Sequence, residues 1–142
     1  MGPAAINLYL AEKYKSSLYA SLPQEHGRML QWVFFVSNHV EPPLITVFRN
    51  RVFYPPEQRN ATLADKAEQE LRASLLILEH QLTCNSFLAG HQWGMADFMA
   101  ACVLYTLTRL NFDFTAYLKL GPWLLASING LQLKRQTKLR ET

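Results

Sequence analysis

The chain has 142 residues, 49% of them hydrophobic and 18% charged, with a net charge of +3, which suits one domain with a sizeable core and excludes a disordered chain. Its longest unbroken apolar run, Phe98 to Tyr105, is far shorter than the roughly 20 residues that a membrane span needs. The first residues lack the basic and apolar regions of a secretory signal, so we expect a cytoplasmic protein without membrane contact.

The spacing of apolar residues predicts helices along the chain and no strands, so the expected fold class is all-α. The first helix is predicted from about Pro3 to Tyr14, with proline near the first position, where it is favoured. A serine-containing linker, residues 16–23, follows. The second helix is predicted from about Gln24 to Arg51. Pro42-Pro43 removes two amide donors and should bend or break this helix near residues 38–41.

The second half of the chain is predicted to hold shorter helices and a basic tail. Thr62 and Asp65 form a capping pattern at the start of the third helix. Its apolar stripe consists of Leu63, Ala67, Leu71, Leu75, Leu78 and Leu82. Further helices are predicted from Phe114 to Leu118 and from Pro122 to Asn129. Residues 131–142 are either a solvated basic C-terminus, which is favoured, or a surface for an acidic partner; without stacking aromatics, nucleic acid is not expected.

The fourth helix is predicted to start at Met95 and to lie at the centre of a bundle, because it is apolar on nearly every side. Gly94 is the expected N-cap. Asp97 lies three positions later, where its carboxylate can accept hydrogen bonds from the free N–H groups of the first turn. We therefore expect Gly94 and Asp97 to have a structural role as a helix cap.

No catalytic residue and no metal site are predicted. The four histidines do not fall at metal-ligand spacings, and no glycine-rich phosphate loop is present. His39 and Glu41 suggest an acid/base pair, but two positions apart on a helix their side chains point about 200° apart. Cys102 is expected to be buried and inert. Cys84, near a helix end, could be exposed but has no cationic neighbour to activate it.

Three segments resemble the glutathione S-transferase family, in the family's order. Phe87-Leu88-Ala89-Gly90 followed by Ala96-Asp97 resembles the turn that starts the central helix of the family's C-terminal domain. The segment Ala4–Tyr14 resembles the last helix of its thioredoxin-like domain. Gln31-Trp32 with Val40–Leu44 is similar to the long first helix of the helical domain in a bacterial and fungal subgroup. Together the resemblance covers roughly residues 4–128.

The resemblance implies a domain organisation for the chain. Residues 1–15 are the residual last helix of a thioredoxin-like domain, and residues 16–23 are the linker. Residues 24–130 form the helical domain, and residues 131–142 are the basic tail. We expect the thiol-activating half to be missing. The chain then has no cofactor of its own, and glutathione would bind only if that half were supplied.

Three positions depart from the family's pattern. The family has Glu-Ser before its Ala-Ile helix to hold the γ-glutamyl end of glutathione, and this chain has Gly2 and Pro3 there. Gly94 stands where the family usually has Ser or Thr. The resemblance therefore implies the helical half of a transferase without its chemical half.

The resemblance also implies a role for the second helix, which in the family lines the cleft for the hydrophobic substrate and builds a two-fold dimer interface. The resemblance implies that one stripe of this helix faces an apolar small molecule in the cleft, and this stripe consists of Phe34, Asn38, Glu41 and Ile45. The alternative, which is favoured, is that these residues are ordinary core or dimer contacts. We expect a homodimer or a complex with a thioredoxin-like partner half.

Two functions therefore compete. The first is the helical domain of a glutathione-conjugating enzyme, inactive alone. The second is a stand-alone assembly module, since helical halves of this family are used in translation-factor and synthetase complexes.

Overall fold

The computed structural model describes residues 2–14 and 16–141, with side chains through Leu131. Within these residues the regular structure is helical, and the predicted all-α fold class is confirmed. The described residues form seven α-helices, namely α1 (Pro3–Lys13), α2 (Pro23–Phe35), α3 (Glu41–Phe48), α4 (Ala61–Cys84), α5 (Met95–Leu104), α6 (Thr106–Arg109) and α7 (Leu120–Glu141). The tail side chains Lys134, Arg135, Lys138 and Arg140 lie outside the described side chains.

The second predicted helix is continuous through its double proline. Between α2 and α3 lies a π-helical turn, Val36–Val40, in which the Glu41 N–H donates to the Val36 carbonyl five residues back. A second π turn, Arg49–Phe53, extends α3. The sequence predicts a bend or a break near residues 38–41, and the α-helical hydrogen bonding does give way there to the π turn. The chain stays helical because Pro42 lies in the first turn of α3 and the wider π turn before it accommodates the missing donors.

The connection from this long segment to α4 is fixed by polar contacts. The Asn60 N–H donates to Asn50 Oδ1 at 3.0 Å, and Asn60 Oδ1 accepts from the Leu63 N–H at 3.0 Å. Asn60 is therefore the N-cap of α4, and the predicted start at Thr62 is wrong. Asp65 does not serve the cap, because it pairs instead with the Arg51 guanidinium at 2.9 Å.

The core of the bundle surrounds α5. The buried stripe of α4 agrees with the sequence pattern at five positions, but Ala64 replaces Leu63, which is 47% exposed. The buried residues of α5 are Met95, Ala96, Asp97, Met99, Ala100, Ala101 and Leu104, and this helix packs against α2 and α7 as expected for a central element. One side of α5 stays uncovered, since Cys102 is exposed.

The segment before α7 differs from its prediction. Residues 114–118 form turns rather than a helix, because Asp113 Oδ1 accepts a hydrogen bond from the Thr115 N–H at 2.9 Å and closes a local turn. The Glu79 carboxylate of α4 then accepts from the Lys119 and Leu120 N–H groups at 2.8 and 2.7 Å. These contacts start α7 at Leu120, and its backbone continues past the predicted end at Asn129.

The first helix is held loosely on the bundle. Its contact face consists of Ala4, Leu8 and Ala11, and no residue of α1 is fully buried. The apolar residues Ile6, Tyr9, Leu10 and Tyr14 are exposed. The sequence therefore forms α1 at the expected place, but α1 has an apolar face that the described bundle does not cover.

Candidate functional site

A groove of about 280 Å³ lies where α1 meets α3 and α5. Its apolar wall includes Leu44, Ile45 and Phe48 from α3 and Met99 from α5. Leu44 is buried, whereas Ile45 is 37% exposed. The apolar stripe of α3 thus serves both as core and as the side of an open groove.

Polar atoms enter this groove at two places. Asn7 of α1 and the half-buried Glu41 of α3 both line it. In the part of the chain with described side chains, neither side chain makes a hydrogen bond or ion pair. A carboxylate and an amide at the edge of an apolar groove can bind a polar group of a molecule whose apolar part contacts Ile45 and Phe48.

Cys102 also lines the groove, so the expectation that it is buried is wrong. Its α-helical position turns it away from the core and toward α1. The surrounding apolar side chains desolvate the thiolate and raise the pKa of the Cys102 thiol. The thiol therefore stays protonated at neutral pH, which makes it a reporter of the groove rather than an activated nucleophile.

The four residues of the predicted cleft stripe do not line one groove. Glu41 and Ile45 line the groove described above, whereas Asn38 lines a second depression of about 440 Å³ beside α4. Phe34 lines neither and is 50% exposed. The physical reason is the π turn at Val36–Val40, because its i→i+5 bonding rotates the residues before it relative to those after it.

His39 and Glu41 are also separated. His39 lines the depression beside α4, where its ring lies 5.4 Å from that of Phe35 and its carbonyl accepts from Ser74 Oγ at 3.0 Å. Glu41 lines the other groove. The described part of the chain holds no group of three His, Cys, Asp or Glu side chains that could bind a metal ion.

Asp97 occupies the start of α5 and is fully buried. Its Oδ2 accepts from the Gly94 N–H at 3.1 Å. Its Oδ1 accepts from the Leu88 N–H and from Trp123 Nε1, both at 3.0 Å. Burial raises the pKa of the Asp97 carboxyl, and these hydrogen bonds oppose the rise.

Two contacts of this region have no local signal in the sequence. Trp123 lies 26 positions from Asp97, so no sequence spacing links the two residues. The one available signal is general, namely that the N–H group of a buried indole needs a hydrogen-bond acceptor. The Met95 N–H donates to the Leu18 carbonyl of the linker at 3.0 Å. The linker backbone thus satisfies a free donor of the α5 N-terminus.

Comparison with known families decides the affiliation. Residues 28–126 match the family described as "Glutathione S-transferase, C-terminal domain". The chain belongs to this family. Helices α3, α4 and α5 lie entirely within the matched residues, and α2 lies within them from Arg28 onward.

The chain spans only part of the length of the curated relatives that it matches. Glutathione S-transferase F10 of Arabidopsis thaliana is 32% identical over 126 residues, which are 83% of this chain and 52% of that protein. Elongation factor 1-gamma of Carassius auratus is 28% identical over 122 residues, which are 83% of this chain and 27% of that protein. The chain is thus similar both to a glutathione S-transferase and to an elongation factor 1-gamma.

Solved structures agree on the fold. The structure of Ure2p5 from Phanerochaete chrysosporium, cocrystallized with 1-(S-glutathionyl)-2,4-dinitrobenzene, matches with a TM-score of 0.82 over 100% of this chain and 71% of that chain. At 24% identity this likeness concerns the fold alone. In the described part of the chain, no helix is both long and apolar enough to cross a bilayer.

Proposed function

We propose that this glutathione S-transferase C-terminal domain forms the apolar wall of the substrate cleft of a glutathione-conjugating enzyme. The groove between α1, α3 and α5 carries the proposal, because it combines an apolar wall with unpaired polar side chains at its edge. The reaction is attack of the glutathione thiolate on an electrophilic carbon of an apolar substrate, with loss of the leaving group. Its rate depends on lowering the pKa of the glutathione thiol.

In this proposal the chain binds and orients the electrophile and does not activate the thiol. Ile45, Phe48 and Met99 contact the apolar part of the substrate. Glu41 and Asn7 contact its polar part. A thioredoxin-like unit, in the same polypeptide or a separate subunit, activates glutathione, so the helical domain alone is inactive.

Thiol labelling tests whether the groove binds such a molecule. In a Cys84→Ser variant, the rate at which a disulfide reagent modifies Cys102 is measured with and without 1-(S-glutathionyl)-2,4-dinitrobenzene. We expect the conjugate to slow this reaction by about fivefold or more, because Cys102 lines the groove. Cys84, measured in a Cys102→Ser variant, is the matched control, since it is exposed and does not line the groove. Equal rates at Cys102 with and without conjugate would contradict the proposal.

Turnover is tested separately. The chain is titrated with glutathione in a calorimeter and assayed with glutathione and 1-chloro-2,4-dinitrobenzene. We expect neither binding nor conjugation by the helical domain alone. Conjugation above the uncatalysed rate would mean that a residue of this chain activates the thiol, and the assignment of that role to another unit would fail.

A second candidate function is assembly with another protein. It is supported by the similarity to elongation factor 1-gamma and by the exposed apolar residues of α1, namely Ile6, Tyr9, Leu10 and Tyr14. An unchanged rate of Cys102 labelling in the presence of the conjugate would favour this candidate, whereas the glutathione titration is expected to show no binding under either candidate. Protection of Cys102 by the conjugate would favour the transferase.

We further propose a homodimer in the cytosol. The depression beside α4, lined by Asn38, Leu63 and Glu70 among others, is the proposed contact face, and Phe34 is exposed on the same long helical segment. Both cysteines are free thiols, which suits a reducing compartment where glutathione is also kept reduced. This assigns Phe34 and Asn38 to subunit contact rather than to the cleft.

A further inference from the structure

A separate cavity of about 560 Å³ lies between α7 and the loop of residues 85–94 that precedes α5. It is lined by three aromatic side chains, Phe87, Trp93 and Trp123, together with Ala126 and Ser127 of α7. It shares no lining residue with the groove between α1, α3 and α5. Any ligand of this cavity therefore binds apart from the proposed cleft.

Both indoles of the cavity have fixed positions. Trp93 Nε1 donates to Ser127 Oγ at 3.1 Å, and Trp123 Nε1 donates to Asp97 Oδ1 at 3.0 Å. Trp123 and Ser127 are buried. Because both indole N–H groups bind protein acceptors, the two indoles contribute ring surface to the cavity rather than hydrogen-bond donors.

The polar and charged character of the lining restricts the ligand. None of the described residues that line the cavity is ionisable, so a charged ligand would lose its hydration without gaining a counter-charge from these residues. Ser127 Oγ accepts from Trp93, which leaves the hydroxyl hydrogen of Ser127 for an acceptor on a ligand. A volume of about 560 Å³ is within the range of small-molecule sites.

We propose that this cavity binds an uncharged, flat aromatic or heteroaromatic molecule that carries one hydrogen-bond acceptor. Its rings pack against Trp93, Trp123 and Phe87, and its acceptor receives a hydrogen bond from the Ser127 hydroxyl. Because Trp123 also binds Asp97, a ligand that packs on Trp123 stabilises the junction of α5 and α7 and raises the melting temperature of the chain.

The indole N–H signals of the full chain test this site, with coumarin as the neutral, flat probe. The chain has three tryptophans, and Trp32 lies in α2 and does not line the cavity. We expect coumarin to shift the nitrogen-proton resonances of Trp93 and Trp123 and to leave that of Trp32 in place. The signals are assigned by single Trp→Phe variants.

Two matched comparisons sharpen the result. Ala126→Phe fills the cavity and should weaken coumarin binding by at least about tenfold, whereas Leu125→Phe, at the neighbouring exposed position outside the lining, should leave it unchanged. Coumarin-3-carboxylate should bind at least about tenfold more weakly than coumarin, because its charge has no partner among the described lining residues.

Three outcomes would overturn the proposal. The first is that coumarin shifts neither Trp93 nor Trp123. The second is that the shifts persist in Ala126→Phe. The third is that both signals move with protein concentration in the absence of coumarin, which would mean that a second copy of the chain occupies the cavity.

Discussion

Asp97 joins three parts of the chain through one buried carboxylate. Leu88 belongs to the preceding loop, Gly94 to the start of α5 and Trp123 to α7, and all three donate to it. With no cationic group among these partners, desolvation raises its pKa. Its stabilising effect therefore comes from hydrogen bonding rather than from charge pairing.

Removing this carboxylate should weaken the whole bundle. We expect Asp97→Ala to lower the free energy of unfolding by about 3 kcal/mol, because buried N–H donors lose their acceptor. Asp97→Asn should cost less, about 1 to 2 kcal/mol, since its amide oxygen can still accept from Leu88 and Trp123. Urea denaturation followed by circular dichroism measures both, and equal midpoints for Asp97→Ala and the natural chain would refute the role.

The raised pKa of Asp97 also predicts a pH dependence. The folded state holds this proton more tightly than the unfolded state, so the part of the stability that comes from the raised pKa of Asp97 is greatest below the unfolded-state pKa of about 3.9. It is lost as the pH rises through the higher folded-state pKa. The difference in unfolding free energy between the natural chain and Asp97→Asn should therefore decrease over this interval. A difference that is independent of pH would contradict the assignment.

At the residue scale, hydrogen bonds between residues close in sequence can be predicted from their spacing, whereas hydrogen bonds between distant residues cannot. The three-residue spacing of Gly94 and Asp97 could be interpreted from the sequence alone. No pattern links Asp97 to Trp123, because helix packing rather than spacing brings them together. Cys102 was mispredicted because an apolar helix gives no sign of which side its neighbours leave open.

At the scale of the elements, helix ends depend on which group supplies the cap. The side chain of Asn60 caps α4, whereas Gly94, the N-cap of α5, has no side chain to accept from the first turn. An added Cβ at Gly94 would lie 3.4 Å from the Leu18 carbonyl oxygen, which is an ordinary contact. A residue with a capping side chain therefore fits at this position.

We expect Gly94→Ser to raise the unfolding free energy by a few tenths of a kcal/mol, because its hydroxyl can accept from an N–H group of the first turn. Gly94→Ala is the matched control. It adds the same Cβ without an acceptor and should be neutral or slightly destabilising. The urea denaturation midpoints of the two variants measure this difference. If the alanine variant were more stable than the serine variant, a capping side chain would not be what position 94 lacks.

The elements themselves were predictable where a periodic pattern is long. The buried stripe of α4 and the central α5 follow from apolar spacing, and Pro3 marks the start of α1. Pro42-Pro43 predicts an irregularity where the π turn Val36–Val40 lies, but the sequence does not show that it takes the π form. The start of α7 at Leu120 depends on the distant carboxylate of Glu79.

At the scale of the whole molecule, the exposed apolar surface bears on the oligomeric state. Leu63 is 47% exposed and lines the depression beside α4, which is the proposed dimer face. Apolar surface of this kind on two neighbouring helices is more often covered than left in water. The proposal therefore concerns a particular face and can be tested by changing one residue of it.

We expect sedimentation equilibrium to give about twice the chain mass of 16.3 kDa. Leu63→Glu should shift the chain to monomer, because it places a charge in the contact face near the α4 N-terminus, where a carboxylate does not disfavour the helix. Leu118→Glu, at a 74% exposed position outside this depression, should remain dimeric. A single species of 16.3 kDa for the unaltered chain would contradict the dimer.

The candidate groove was predictable in part. The family resemblance directs Glu41 and Ile45 toward a cleft, and both line the groove with α1. The contributions of Asn7 and Cys102 required the three-dimensional placement of α1 beside α5. The sequence shows which residues are apolar, but packing decides which of them remain accessible.

The loose attachment of α1 has a thermodynamic consequence. One side of the groove is α1 itself, which contacts the bundle through Ala4, Leu8 and Ala11 and has no buried residue. A molecule in the groove touches both α1 and the bundle, so it binds better when α1 is docked. By reciprocity, docking of α1 and occupancy of the groove each favour the other by the same factor. Slower amide hydrogen exchange in α1 would then report that the groove is filled.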